Sequence, residues 1–330
     1  MSNQESIGMG KTSWNQALMA GPGPVGFLEY LFLWLKGFAM GTADLIPGVS
    51  GGTIAFITGI YEQLLEAVSS FDRQAFGHLF KLELKAFFGR VHIRFIVTLA
   101  SGLIIAIFTL ARLMHFLLTE YPLPTWGLFF GLICASVIII WRELEKPFAV
   151  KSLIPLILGG VAAFFIVGLI PVSTPDDMWF IFVCGVIGIS AMILPGLSGS
   201  FLLLILGKYE YITGALKNPL VGHNFIILLV FLMGALTGLL GFSKVLNWLM
   251  KHYRMTTMAV LTGILIGSLR KVWPWKEVLE TVAIRGKERI ISEANIFPTY
   301  LNSQDYVTIF MMIFGFLAVI LMEFFRQKRF

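Results

Sequence analysis

The sequence predicts an all-α polytopic membrane protein made of two inverted-topology repeats, each a broken or re-entrant helical hairpin followed by transmembrane helices. Three observations carry that expectation. The 330 residues are 57% hydrophobic and only 13% charged, against roughly a quarter charged in a soluble domain. Apolar runs long enough to cross a bilayer recur along the chain. One glycine-rich motif occurs twice. Together these exclude a soluble enzyme, a disordered chain and a collagen-like repeat.

The first 24 residues are polar and glycine-rich and lack the apolar core of a cleaved signal peptide. They read as a disordered cytoplasmic tail ahead of a single transmembrane domain over 25–330. Gly8-Met9-Gly10-Lys11-Thr12 looks like the end of a P-loop, but Glu5 stands where that pattern needs its first glycine. Apolar segments then fall at about 26–46, 53–68, 93–119, 125–141, 153–171, 179–194, 201–213, 224–250, 257–269 and 305–325. Those at 53–68 and 201–213 are short, and each follows a proline and a glycine-rich break, as in helices that dip into a bilayer and return. The linker 69–92, with Arg73, Lys81, Lys85 and Arg90, reads as a basic amphipathic surface stretch.

Pro47-Gly48-Val49-Ser50-Gly51-Gly52 returns 148 positions later as Pro195-Gly196-Leu197-Ser198-Gly199-Ser200. At the same offset Gly37 meets Gly185, Ala43 meets Ala191, and Gly59-Ile60-Tyr61-Glu62 meets Gly207-Lys208-Tyr209-Glu210. Further on, Gly102, Arg112, Tyr121, Gly131 and Ser136 meet Gly234, Lys244, Tyr253, Gly263 and Ser268 at an offset of 132, the longer first linker accounting for the change. The repeats are therefore expected at about 25–141 and 179–269, with additional spans at 153–171 and 305–325.

Lys and Arg in short loops are retained in the cytoplasm. That rule puts 69–92 inside, Thr119-Glu120-Tyr121-Pro122 outside, Arg142, Lys146 and Lys151 inside, Pro175-Asp176-Asp177 outside, Lys251 and Arg254 inside, and both termini inside. Three crossings separate the two motifs, so the second copy is expected upside down relative to the first. The basic loop 270–304 then falls outside, against the rule, which weakens for longer loops.

A Pro-Gly-x-Ser-Gly break at membrane depth leaves backbone amides unpaired at the start of the next half-helix. Small residues there admit an anion to those amides and to the hydroxyls of Ser50, Thr53, Ser198 or Ser200. The candidate anion site is thus Pro47, Gly48, Ser50, Gly51, Gly52 and Thr53 with Pro195, Gly196, Ser198, Gly199 and Ser200; close helix packing by small residues is the competing explanation. The matched cations Arg112 and Lys244, each late in an apolar run, are candidates to receive an anion on opposite faces, against simple snorkelling. Asp44 has Met192 at its matched position and is the preferred ion-coupling carboxylate, against capping of the broken helix. Glu62 and Glu210 are the further candidates, with Glu62 about 13 Å along a continuous helix from Thr53.

Both breaks contain Gly-x-Ser-Gly, which resembles the serine motif of rhomboid intramembrane proteases. A nucleophilic serine needs a base within reach, yet His78, His92, His115, His223 and His252 fall near segment ends or in loops. Cys134 and Cys184 sit inside apolar runs as small hydrophobes. Asp176-Asp177 is an isolated acidic pair. No catalytic residue, metal site or cofactor is expected. The net charge of +6 is spread between apolar runs, which fits anionic lipid and not nucleic acid.

The duplicated breaks, the Gly41-Thr42-Ala43-Asp44-Leu45-Ile46-Pro47 lead-in and the Gly-x-Tyr-Glu sequences resemble the bacterial polyprenyl-phosphate transporter family, first catalogued as a membrane domain of unknown function. The resemblance runs from about 28 to 325. It implies a multi-pass translocase of the bacterial cytoplasmic (inner) membrane that returns undecaprenyl phosphate from the outer to the inner leaflet. Separately, a phosphate moved inward works against an inside-negative potential, so a co-transported proton or Na⁺ is expected to offset that cost. A monophosphate headgroup suits an amide-lined site with a cation, and a prenyl tail can stay in lipid. The alternative is a membrane serine enzyme acting on a lipid or peptide through Ser50 or Ser198.

Overall fold

The computed structural model describes residues 13–46, 49–144, 147–169, 174–284 and 287–327. In chain order the helices are α1 (Trp14–Ala20), α2 (Phe27–Asp44), α3 (Gly51–Ile57), α4 (Tyr61–Ser69), α5 (Arg73–Phe80), α6 (Leu84–Arg90), α7 (Ile93–Glu120), α8 (Pro122–Glu143) and α9 (Val150–Ile166). There follow α10 (Met178–Ile193), α11 (Gly199–Ile205), α12 (Tyr209–Lys217), α13 (Asn224–His252) and α14 (Arg254–Val272). The strands β1 (Lys276–Ile284) and β2 (Lys287–Asn295) precede α15 (Ser303–Gln327). The expected helical membrane class holds: α7, α8, α13, α14 and α15 contain stretches long and apolar enough to cross a membrane, and α9 and α10 are shorter apolar helices.

Both short apolar segments are broken a second time. α3 ends in a left-handed glycine, Gly59, at φ 69°, and α11 ends in Gly207 at φ 65°. Ile60 N then donates to Ala55 O and Lys208 N to Leu203 O, the glycine-terminated turn that satisfies the last carbonyls of a helix. The continuous helix expected from Thr53 to Glu62 is thus two pieces, because a glycine can take the left-handed conformation that closes α3.

The repeat is visible in the packing itself. A side chain on Gly37 would fall 2.1 Å from Leu99 O, and one on Gly185 2.3 Å from Phe231 O; the reverse contacts are Gly102 on Trp34 O at 2.2 Å and Gly234 on Phe182 O at 2.0 Å. Partners and distances recur at the sequence offsets, so α2 lies on α7 as α10 lies on α13. Small residues are what allow such backbone approach between helices in lipid.

The spans set aside as additional turn out to correspond. α15 packs along α8, and α9 along α14. Gly315 faces Leu128 O and Gly159 faces Val260 O, each at 2.4 Å from the side-chain position. Leu128 and Val260 are matched residues, so α9 and α15 are counterparts, each packed against the other repeat.

Two local expectations change. Within the stretch 1–24, expected to be disordered, residues 14–20 form α1, whose Ser13 and Gln16 make a reciprocal cap. Arg94 at the start of α7 holds the following turn, donating to Met19 O (3.1 Å), Gly21 O (2.5 Å) and Pro24 O (2.8 Å); no composition argument reveals a partner 70 residues away. Within the loop 270–304, β1 and β2 form an antiparallel hairpin.

Candidate functional site

The two breaks meet in the main core, where Ala43, Ile46, Val49, Ala191, Ile193 and Leu197 are buried together. Pro47 and Gly48 lie outside the described residues. In the first break Ser50 is extended, and its Oγ accepts from Gly52 N at 3.1 Å. Asp44 Oδ1 accepts from Gly51 N at 2.6 Å, and Ser50 O from Thr53 N at 2.9 Å. The first three amides of α3 are therefore satisfied from within the protein, with a carboxylate at the positive end of the half-helix.

From the serine onward the second break repeats the extended backbone of the first but not its bonds. Pro195 is buried and Gly196 is left-handed at φ 85°. Ser198 is extended like Ser50 but makes no side-chain cap to α11; its Oγ lies 2.9 Å from Ser200 Oγ. Met192, matched to Asp44, offers no acceptor to Gly199.

Across the junction the first break serves the second. Ser50 Oγ donates to Met192 O at 2.9 Å, Tyr61 Oη donates to Ile193 O at 3.1 Å, and Gly196 N donates to Thr53 Oγ1 at 2.8 Å. Ser50, Tyr61 and Thr53 thus collect two terminal carbonyls of α10 and one turn amide, groups that would be costly to leave bare in a dry interior. Close packing accounts for part of the glycine content: a side chain on Gly52 would meet Ile193 O at 2.7 Å, and one on Gly199 would meet Gly188 O at 2.3 Å.

The other sequence candidates lie apart from this junction. Arg112 and Lys244 are exposed, eight residues before the ends of α7 and α13. Glu62 is exposed and accepts from Arg254 Nε at 2.9 Å, beside Glu66 with Lys251 at 3.0 Å. Glu210 is half-buried in the first turn of α12. Among the described residues no histidine hydrogen-bonds to Ser50, Thr53, Ser198 or Ser200; His78 pairs with Glu83 and His252 with Trp248 O.

Sequence reasoning passed over Lys208. Its side chain is 4% exposed and reaches Asp176 Oδ1 at 2.6 Å and Thr174 O at 2.7 Å, while Thr174 Oγ1 donates to Leu206 O at 2.5 Å. Nζ also lies 5.9 Å and 5.7 Å from the ring centres of Phe180 and Tyr211. In the first repeat Lys36 Nζ donates to Thr58 O, matched to Leu206, at 2.9 Å. A side chain from outside each half-helix therefore holds a carbonyl at its negative end. The available signal was a lysine where the first copy carries Ile60.

A family model described as undecaprenyl phosphate translocase-like matches residues 40–289, a span that opens just before the first break. A protein of Vibrio cholerae serotype O1 named polyprenyl-phosphate transporter is 42% identical over 272 residues, covering 82% of this chain and 87% of that one. A Staphylococcus aureus protein with the same name is 33% identical over 262 residues, covering 74% and 87%. No solved structure matches.

Proposed function

This chain belongs to the undecaprenyl phosphate translocase-like family, and on that premise we propose that it is a transporter returning a polyprenyl monophosphate from the outer to the inner leaflet of the bacterial cytoplasmic membrane, recycling the lipid carrier of envelope sugars. The observation that carries the reading is the junction of the two breaks: helix termini from both repeats end against each other through Ser50, Thr53 and Gly196. In transporters, broken helices from two repeats meet at a midplane site. The first break is filled by protein groups, so the headgroup is assigned to the second, at Ser198 and Ser200, with the prenyl tail left in lipid.

In this reading the repeats are inverted, the termini are cytoplasmic and the loop 270–304 is external. Cysteines placed singly at Gln74 and Asn218 should then react with an impermeant reagent from opposite sides; reaction of both from outside intact cells overturns the arrangement. Inward movement of a phosphate opposes an inside-negative potential by about 2.3 kcal/mol per charge per 100 mV, which calls for a co-transported proton or Na⁺. Asp44 is the carboxylate at the junction and is assigned that role. Transport is tested in liposomes with labelled polyprenyl monophosphate: a change of leaflet without a change of headgroup supports it, and a hydrolysed or transferred headgroup supports an enzyme instead.

A further inference from the structure

The end of α14 and the β-hairpin place two lysines and one carboxylate beside the second break. Lys271 Nζ and Lys276 Nζ lie 3.5 Å and 3.1 Å from the same oxygen, Oε2 of Glu293. Each ammonium is backed by an aromatic face: Lys271 by Phe201 of α11 at 4.9 Å, Lys276 by Trp126 of α8 at 5.1 Å. Lys276 Nζ also donates to Lys271 O at 2.8 Å. The three side chains are between 14% and 25% exposed, sheltered yet reachable. Lys271 stands one turn beyond Ser268, whose Oγ would be 2.7 Å from a side chain on Gly196. The group therefore touches the half-helix of the second break through Phe201 and its turn through α14.

We propose that Lys271 and Lys276 form a binding site for a phosphate monoester headgroup at the second break, and that Glu293 is an internal anion which the headgroup replaces. This rests on the transport reading above. The charge balance favours the exchange: two ammonium groups face one carboxylate of charge −1, whereas a phosphate monoester brings about −1.5 to −2 and three acceptor oxygens. Burial and the neighbouring Lys271 charge push Lys276 below the ordinary lysine range, so the greater negative charge of a phosphate in place of the carboxylate favours its ionised form. Burial works against the Glu293 charge, but the two lysines outweigh it and hold its carboxyl below the ordinary range, so it stands ionised. Aromatic backing fixes the ammonium groups without consuming their hydrogen-bond donors. By the crossing count this site lies on the outer side, where a headgroup awaiting return would be captured.

The internal-anion role separates this site from an ordinary surface ion pair. The full chain, purified in detergent, is titrated with farnesyl monophosphate as probe and, separately, with inorganic phosphate. Lys271→Gln and Lys276→Gln should each weaken binding of the probe about tenfold, the size of one lost charge-assisted hydrogen bond. Glu293→Gln should tighten it severalfold, a gain that misfolding cannot imitate. A purely structural cluster predicts instead that Glu293→Gln weakens binding or leaves it unchanged, and that result overturns the proposal. Lysine variants that bind like the parent also overturn it, as does inorganic phosphate binding as tightly as the probe, which would make this a site for the free anion. The two readings fail differently: a parent that moves no polyprenyl monophosphate in liposomes defeats the transport reading, whereas a parent that moves it while the lysine variants bind normally defeats this site alone.

Discussion

At the first break Asp44 accepts from the Gly51 amide and Ser50 from the Gly52 amide, while at the second Met192 stands in place of Asp44 and Ser198 turns to Ser200 instead of capping α11. Two stretches of matched sequence, each with an extended serine ahead of a short helix, thus differ in what their polar groups do. The first is a closed structural joint whose spare hydrogen bonds reach across to α10. The second keeps a pair of hydroxyls at an uncapped helix start, with Lys271 resting on Phe201 of that same half-helix. Duplication supplied two related breaks, and side-chain differences close the first with protein hydrogen bonds and leave the second as the one to which the proposed function assigns the headgroup.

The sharpest way to break this comparison is to crowd both junctions. Gly199→Ala puts a carbon 2.3 Å from Gly188 O, and Gly52→Ala puts one 2.7 Å from Ile193 O. Overpacking of this kind costs about 1–3 kcal/mol, with Gly199→Ala the worse of the two. Thermal unfolding in detergent reads the order; equal and unchanged midpoints would mean that the backbones need not approach so closely.

Removing the acceptor at the matched position comes next. Asp44→Ala should destabilise by about 1–2 kcal/mol, as for a lost helix cap, while Met192→Ala should cost less because that side chain is 39% exposed. Asp44→Asn keeps an acceptor for Gly51 and should restore most of the stability. In liposomes with imposed pH and Na⁺ gradients the same variant should lose its response to the coupling gradient; an unaltered response makes Asp44 a cap alone and moves the search to Glu62 and Glu210.

The serines sharpen the contrast at smaller scale. Ser50→Ala removes two hydrogen bonds, one of them to the other repeat, and should lower stability by about 1 kcal/mol. Ser198→Ala should leave the unfolding midpoint nearly unchanged and weaken binding of a polyprenyl monophosphate severalfold. A reversed pattern would exchange the roles of the two breaks.

The smallest effect belongs to the insertion carried by the first repeat alone. In α5 and α6, Arg90 forks onto Asp72, and hydrogen bonding from Arg90 holds that carboxyl below its usual range, near pH 2. Because the folded value is depressed, the pair's stabilisation is present above the unfolded value of about 3.9 and is lost as the pH falls toward 2. The two side chains are 39% and 32% exposed, so solvent screening keeps the contribution small. Comparing acid unfolding of the parent with Arg90→Ala should show a slight loss of stability near neutral pH that vanishes in acid.

The sequence by itself determined the membrane class, the duplication and the location of both breaks, because burial in lipid demands long apolar runs and a broken helix demands proline and glycine at fixed places. Matched glycines such as Gly102 and Gly234 were legible too, though their use in letting α2 and α10 approach α7 and α13 was not. Tertiary structure decided which polar groups meet. It paired Glu62 with Arg254, left Arg112 and Lys244 on exposed helix faces, brought Arg94 to the chain around Gly21, and buried Lys208 against Asp176. It also packed α9 and α15 each against the opposite repeat. Hydrophobic periodicity says how much of a helix must be buried, whereas hydrogen bonds and ion pairs depend on angstrom-scale distances between residues tens to hundreds of positions apart, and those distances exist only once the chain has packed.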